Sequence, residues 1–313
     1  MQGKRDRVVI TDVTLREYGQ NVPSQYLPVF NPSLRASVTQ RLIQAGLTDI
    51  ELFSCVHPRV APAMGREEIE KTLQALGEAP GANLITLVPN RAGYENFHAL
   101  NLGPGGHNHT MGVFFSAIEA HNLLNLGRPI KKTLDEYQAI LTDAASRKIR
   151  VVGYISAAFG YLDRGKRDIL VADPAALNDY IDLYFTLGAE VVTLSDVQGV
   201  AEEKETARVL EAVLKGRKGG EIEKLAYHPH HISGEMALDN TAVAYGMGIR
   251  RFDASLGGTG GCVTGAPGNQ PTERLLPLLL GLGAWTGVDE KKVSSLAEWV
   301  QKALYSRIPP PSG

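Results

Sequence analysis

Cysteine is almost missing from this 313-residue chain: Cys55 and Cys262 are the two present. That is too few for a disulfide framework and fits a reducing compartment. Long apolar runs are also missing. The stretch from Leu275 to Leu282 is broken by Pro277 and Gly281 and is too short to span a bilayer. Charge of one sign is nowhere concentrated: 32 basic and 34 acidic residues are interspersed, for a net charge of -2. This argues against a nucleic-acid or anionic-membrane partner, while local basic residues remain available for a phosphorylated small molecule. The N-terminal Met1 to Arg7 segment is charged and runs directly into a strand. It lacks the apolar segment of a signal peptide and the arginine- and serine-rich helix of a transit peptide. These absences predict a cytoplasmic protein.

With 43% hydrophobic residues the chain can bury a large core, and no linker or low-complexity stretch divides it. One domain over residues 1–313 is expected, with a barrel at about 8–282 and a C-terminal helical extension over 283–313. The tail containing Pro309, Pro310 and Pro311 is expected to fray.

Short β-branched runs alternate with helical patterns throughout. Strands are predicted at Val8–Thr11, Asp49–Phe53, Leu84–Val88, Met111–Phe115, Val151–Ile155, Glu190–Leu194, Leu225–His228 and Arg251–Ala254. Helices are expected near Ser33–Ala45, Glu67–Leu76, Ala92–Leu100, Leu134–Ser146, after Asp173-Pro174, Glu202–Leu214, Glu235–Tyr245 and Thr272–Leu280. Asp173 followed by Pro174 is an N-cap with proline in the first turn. Strands and helices alternating at this spacing imply parallel pairing through right-handed crossovers. Eight such units over about 280 residues predict an α/β fold of the closed (β/α)8 TIM-barrel class, with a glycine-rich lid loop after strand 8. The rival architecture, an open doubly wound sheet, often carries a glycine fingerprint after its first strand. Here that position reads Thr14-Leu15-Arg16-Glu17.

Residues at the strand C-termini of a barrel face the active site. In this chain the polar ones are Arg16, Glu17, Glu51, Ser54, Asn90, Ser116, Ser156, Asp196, His228, His230 and Asp253. So many acidic, imidazole and amide groups at one end are costly to desolvate without partners. A cation and an anionic substrate would supply them. His228 and His230, two apart on a strand, point to one face. With one carboxylate they make a nitrogen/oxygen ligand set suited to Mg²⁺, Mn²⁺, Co²⁺ or Zn²⁺. Glu17 is the better carboxylate, because Arg16 beside it can hold a substrate oxygen or a developing enolate. An Arg-Glu pair at a barrel rim is the plainer alternative.

His107-Asn108-His109 precedes the fourth strand and is read as a solvated loop at the opposite end. Cys262 stands in a glycine-rich loop, Gly257 to Asn269. An inert thiol is the default there, and a proton donor or acceptor is the alternative if a nearby cation lowers its pKa. Cys55 is read as packing.

Asp12-Val13-Thr14-Leu15-Arg16-Glu17, the His228-x-His230 pair and the loop from Gly260-Gly261-Cys262 to Gly268-Asn269 together resemble the DRE-TIM metallolyases. That superfamily includes isopropylmalate and homocitrate synthases, hydroxymethylglutaryl-CoA lyase and hydroxy-oxo-acid aldolases. The resemblance runs from about Val8 to Leu280 and is greatest to the hydroxymethylglutaryl-CoA lyase branch. Gly19-Gln20-Asn21 is similar to the end of that branch's Arg-Asp-Gly-Leu-Gln-Asn segment. Gly-Gly-Cys is the lyase form of the loop, and the region from Glu119 to Asp163 resembles the lyase middle section.

The resemblance implies that Glu17, His228, His230 and Asn269 are metal ligands, most simply for Mg²⁺ or Mn²⁺. It implies that Arg16 stabilises the enolate of the leaving thioester and that Cys262 is a lid-borne acid/base. Glu51 and Asp196 match further polar active-site positions. The implied activity is cleavage of a 3-hydroxy-3-methylglutaryl-CoA-like thioester to acetyl-CoA and acetoacetate, and the implied assembly is a homodimer. The alternatives are an aldolase or Claisen-type condensation of a short keto acid, or a divergent barrel that binds a metabolite without turnover. The chain departs from the lyase pattern at Glu17, where lyases usually have Asp. It departs again at His231-Ile232-Ser233-Gly234-Glu235, where lyases read Asp-Thr-Tyr-Gly-Gln. The loop from Val22 to Pro32 is longer and the Cys262–Asn269 segment shorter. These changes surround the substrate and leave the acyl group open.

Overall fold

The computed structural model describes residues 6–18, 29–56, 64–163, 165, 167–230, 235–261 and 268–305, with the side chain of Tyr305 left out. Eight strands, all parallel to their neighbours, close into a barrel in chain order: β1 (Val9–Asp12), β2 (Asp49–Ser54), β3 (Asn83–Leu87), β4 (Thr110–Ser116), β5 (Val151–Ser156), β6 (Val191–Asp196), β7 (Leu225–Pro229) and β8 (Arg251–Ala254). The helices following these strands cover the outside. Parallel strands of this kind are buried on both faces, which is why they read as nearly unbroken apolar runs; all six residues of β5 are buried.

The predicted strands agree with these to within a residue or two. Four of the differences share a cause: β2, β4, β5 and β6 run on through Ser54, Ser116, Ser156 and Asp196, polar residues that read as loop. The barrel rather than the side chain sets where pairing stops, since Ser116 still faces Ser156 in register.

The helices follow in the order α1 (Thr14–Glu17), α2 (Pro32–Gln44), α3 (Arg66–Leu76), α4 (Arg91–Ala99), α5 (Glu119–Leu126), α6 (Ile130–Ser146), α7 (Pro174–Thr186), α8 (Glu203–Leu214), α9 (Gly219–Ile222), α10 (Met236–Gly246), α11 (Thr272–Gly281) and α12 (Glu290–Tyr305). Those that cover the barrel bury one stripe, as α8 does with Thr206, Val209, Leu210 and Val213 at helical spacing. Asp173 caps α7 by accepting from the Ala175 N–H at 3.1 Å, with Pro174 in the first turn. Asn31 and Asn90 cap α2 and α4 in the same way.

Not anticipated were α1, α5, α9 and a small antiparallel hairpin pairing Tyr161–Asp163 with Asp168–Leu170. The expected C-terminal extension contains α12, which packs on α11 and α2 and buries Val293, Leu296, Ala297 and Val300. Under the barrel, Asp6–Arg7 pairs in parallel with Ala284–Trp285. Among the described residues, no helix is long and apolar enough to cross a membrane.

The loop at His107-Asn108-His109 differs from expectation. His109 is buried, stacks on Phe53 with ring centroids 5.7 Å apart, and places Nδ1 2.9 Å from the Thr86 hydroxyl. Burial lowers its pKa to about 3, so it is a neutral core histidine. His107 and Asn108 are exposed and fit the solvated description.

Candidate metal centre and active site

The one-turn helix α1 sets the site. At the end of β1, the Asp12 carboxylate accepts the Thr14 N–H at 3.1 Å and the Thr14 hydroxyl at 3.0 Å. The same hydroxyl receives the Leu256 N–H at 2.8 Å, tying this turn to the loop after β8. Four residues of helix then lift Arg16 and Glu17 over the C-terminal mouth of the barrel. Arg16 lies between two carboxylates. Its Nη2 meets Glu17 Oε1 at 2.6 Å and its Nε meets Glu51 Oε2 at 2.5 Å. Glu51 sits beside a register shift in β2, and such irregularities re-aim side chains near the end of a strand.

β7 delivers His228 and His230 to the same point. Their Nε2 atoms face one another at 2.9 Å, and His228 Nε2 is 3.5 Å from Glu17 Oε1. One ligand-type atom from each of Glu17, His228 and His230 lies within 4.8 Å of the others, and all three residues are buried. Asn269 reaches this cluster from the far side of the glycine-rich loop. Its backbone forms an isolated antiparallel bridge with His230, and its Nδ2 donates to Glu17 Oε2 and, at 3.1 Å, to the Thr259 carbonyl. With the amide nitrogen used on two acceptors, Oδ1 is the atom left for a cation.

Gly260, at φ +105°, makes this approach possible: a Cβ there would lie 2.6 Å from the Glu17 Cβ and 3.0 Å from Asn269 Nδ2. Next to it, the Gly261 N–H points to Glu17 Oε2 at 3.3 Å.

The electrostatics follow from burial and these neighbours. Burial opposes ionisation of Glu17, but Arg16, the two histidines and Asn269 outweigh it and bring its pKa to about 2. Glu51 goes the other way: burial raises it, Arg16 opposes, and Asp253 adds to the rise. The Tyr154 phenol beside Glu51 is also pushed up, first by burial and then by that carboxyl. Burial works against a charged His228, yet Asp253 and Glu17 prevail and raise it. Burial and then His228 hold His230 down at about 3.

This donor set fits a divalent cation. Two imidazole Nε2 atoms aimed at each other in a buried pocket can share only one proton. An ion with nitrogen and oxygen preference would satisfy both rings and the carboxylate together.

Of the residues singled out from the sequence, Arg16, Glu17, Glu51, His228, His230 and Asn269 therefore converge. Asp196 stands beside them with its carboxylate turned to the loop after β6, Oδ1 taking the Val200 N–H at 3.2 Å and Oδ2 the Ala201 N–H at 3.0 Å. Its backbone carbonyl accepts the His230 N–H at 3.1 Å. Burial raises its pKa to about 6 against those backbone donors. Ser116 is used locally, its hydroxyl meeting His121 Nδ1 at 2.9 Å. Cys55 is buried, and burial pushes its thiol to about 12, in line with a packing role. The expectations for Cys262, for the lid at residues 262–267, for Gly19-Gln20-Asn21 and for His231 lie outside the described residues.

Two neighbours of this cluster were not assigned from sequence: Asp253, which meets His228 Nδ1 at 3.0 Å, and Tyr154 against Glu51. Asp253 was visible as a polar residue at the end of β8, without a role. A cavity of about 250 Å³ near the other barrel end is lined by Asp49, Asn83, Thr110, Arg150 and Arg251 among others. Asn83 there donates to Asp49 and accepts from the Thr110 hydroxyl, which reads as structure.

The family model described as HMGL-like matches residues 7–300. The chain belongs to the HMGL-like family. It is 31% identical over 95% of its length to the mitochondrial hydroxymethylglutaryl-CoA lyase of Homo sapiens, covering 86% of that protein. It is also 31% identical to the hydroxymethylglutaryl-CoA lyase of Bacillus subtilis, covering 95% of each chain. Among solved structures, the HMG-CoA lyase of Bacillus subtilis superposes with a TM-score of 0.83 at 29% identity, over 98% of this chain and 96% of that one. The HMG-CoA lyase of Brucella melitensis gives 0.80 at 28%, over 96% and 99%. The HMGL-like membership and these matches agree with the DRE-TIM resemblance, and the closed parallel barrel agrees with the predicted fold class.

Proposed function

We propose that this protein is a divalent-metal-dependent carbon–carbon lyase that cleaves 3-hydroxy-3-methylglutaryl-CoA to acetyl-CoA and acetoacetate. The observation carrying this reading is the convergence of Glu17, His228 and His230 within 4.8 Å, directly beside Arg16, in a chain of the HMGL-like family. Glu17, His228, His230 and the Asn269 amide oxygen would hold the ion, Mg²⁺ or Mn²⁺ by the hardness of the set. Held by these residues, such an ion would supply Lewis-acid chemistry, lowering the pKa of a substrate hydroxyl.

Once the hydroxyl proton has passed to solvent water, the oxygen's electron pair forms the ketone carbonyl and the carbon–carbon bond breaks, leaving its electron pair on the thioester as an enolate. Arg16, already fixed by two carboxylates, offers its guanidinium to that developing oxyanion. Glu51 holds Arg16 in place and keeps the local charge balanced. Asp196 steadies the loop after β6 under His230. Cys262 then returns a proton to the enolate carbon. A homodimer and a cytoplasmic setting complete the reading, the latter supported by the low cysteine content.

Incubation with Mn²⁺ and 3-hydroxy-3-methylglutaryl-CoA, followed by assay of acetoacetate and acetyl-CoA, tests it directly. Equimolar products are expected. Absence of acetoacetate alongside turnover of a short hydroxy or keto acid would transfer the chain to the aldolase class. Absence of any turnover by protein shown to bind metal would favour a metabolite-binding barrel.

A further inference from the structure

We propose that Asp253 is a positioning residue for the metal centre, one that selects the ring tautomer and orientation of His228; this rests on the metal-binding reading above. Asp253 and His228 lie on neighbouring strands, β8 and β7, whose register pairs Phe252 with Tyr227, so the next residue on each faces inward together. Asp253 Oδ2 is 3.0 Å from His228 Nδ1, and both side chains are almost fully buried. A carboxylate on Nδ1 takes the ring proton there and frees Nε2. That freed atom is the one facing His230 Nε2 and Glu17. Hydrogen bonding of a ligating histidine to a carboxylate fixes its rotation and raises its basicity.

Asp253 is itself held. Its backbone carbonyl accepts Gln270 Nε2 at 2.8 Å, and Gln270 Oε1 accepts the Thr241 hydroxyl at 2.8 Å. Gln270 follows Asn269 in the chain, so one short segment both anchors Asp253 and brings Asn269 to Glu17. The two histidines are thereby unequal. Among the described residues, His230 has no carboxylate on Nδ1; its ring meets the backbone of Gly268, and His228 carries the charge-assisted support.

The test is Mn²⁺ titration of the full chain, reading free Mn²⁺ by electron paramagnetic resonance, with wild type, Asp253→Ala and Asp253→Asn. Mn²⁺ affinity in Asp253→Ala is expected to fall about 10- to 100-fold. Asp253→Asn, which keeps an acceptor for Nδ1–H and loses the charge, is expected to lie between Ala and wild type. Both variants are expected to keep the wild-type melting temperature in EDTA within a few degrees, which separates positioning from general support of the fold. Wild-type affinity in folded Asp253→Ala would overturn the proposal. If Asp253→Ala does not fold, wild-type affinity in Asp253→Asn would overturn it instead. Wild-type protein that takes up no Mn²⁺ would overturn the metal reading itself, a result distinct from the other two.

Discussion

Nε2 of His228 and Nε2 of His230 point at each other across 2.9 Å, in a pocket where both rings are buried. Without a cation this arrangement holds at most one proton between two acceptors; Asp253 and Glu17 raise the His228 ring against burial, while burial and then His228 hold the His230 ring down. The geometry is therefore built for an occupant.

Metal binding should stabilise the fold. An ion bound only by the native state at about 100 times its dissociation constant adds about 2.7 kcal/mol. Mn²⁺ or Mg²⁺ should accordingly raise the melting temperature by roughly 5 °C, saturably, and EDTA should reverse it. His230→Ala should abolish the metal-dependent shift. A rise of equal size in His230→Ala would place the ion elsewhere.

Arg16 tests the chemistry apart from the metal. Its contacts at 2.6 and 2.5 Å to Glu17 and Glu51 show a guanidinium clamped before substrate arrives. Removing one preorganised donor from a developing oxyanion costs about 10²- to 10³-fold in kcat. Arg16→Gln should lose at least that much, with Mn²⁺ affinity within a few-fold of wild type. Arg16→Lys should not rescue it, since a single ammonium cannot span two carboxylates as the planar fork does. Steady-state rates and a metal titration on the same preparations decide the matter, and an unimpaired kcat in Arg16→Gln would remove Arg16 from the mechanism.

Gly260 is a position where a single methyl group should disturb the metal ligands directly. At φ +105°, with Glu17 Cβ 2.6 Å from the new atom, Gly260→Ala meets both backbone strain and a clash at a metal ligand. A loss of about 1–3 kcal/mol in stability is expected, together with weaker Mn²⁺ binding. Gly246→Ala, at the end of α10 with nothing within 4 Å of its Cβ, is the control and should be neutral or slightly stabilising. Denaturant melts of the two variants side by side would show whether the Gly260 contact matters.

The eight strands were legible because a parallel barrel forces each one to be apolar on both faces, and the histidine pair was legible because a spacing of two on a strand has one geometric meaning. The one-turn helix carrying Arg16 and Glu17 was not, since four residues give no period, and what shapes it is an Asp12–Thr14 contact closed by Leu256 from the far end of the chain. Asp253 was visible as a polar residue at a strand end. Its partnership with His228 depends on the register between β7 and β8, which no single strand contains. Asp196 shows the converse: a carboxylate placed correctly at the mouth, whose oxygens are nonetheless occupied by its own loop.

Asp12 should impose a pH dependence on stability. Burial raises its pKa from 3.8 to about 7, with Thr14 opposing and the Glu51 and Glu273 charges adding. The folded state thus keeps a proton that the unfolded chain releases above pH 4. The stabilisation from this group is fully present below the unfolded value and is lost as pH rises through 7. Asp12→Asn carries no such titration. The stability of wild type minus that of the variant should therefore be about 2 kcal/mol more favourable at pH 5 than at pH 8. Using the difference cancels the opposite contribution of Glu17, whose lowered pKa of about 2 costs stability only under stronger acid. Urea unfolding of both proteins at the two pH values measures it, and a difference that does not change with pH would mean that Asp12 is ionised throughout.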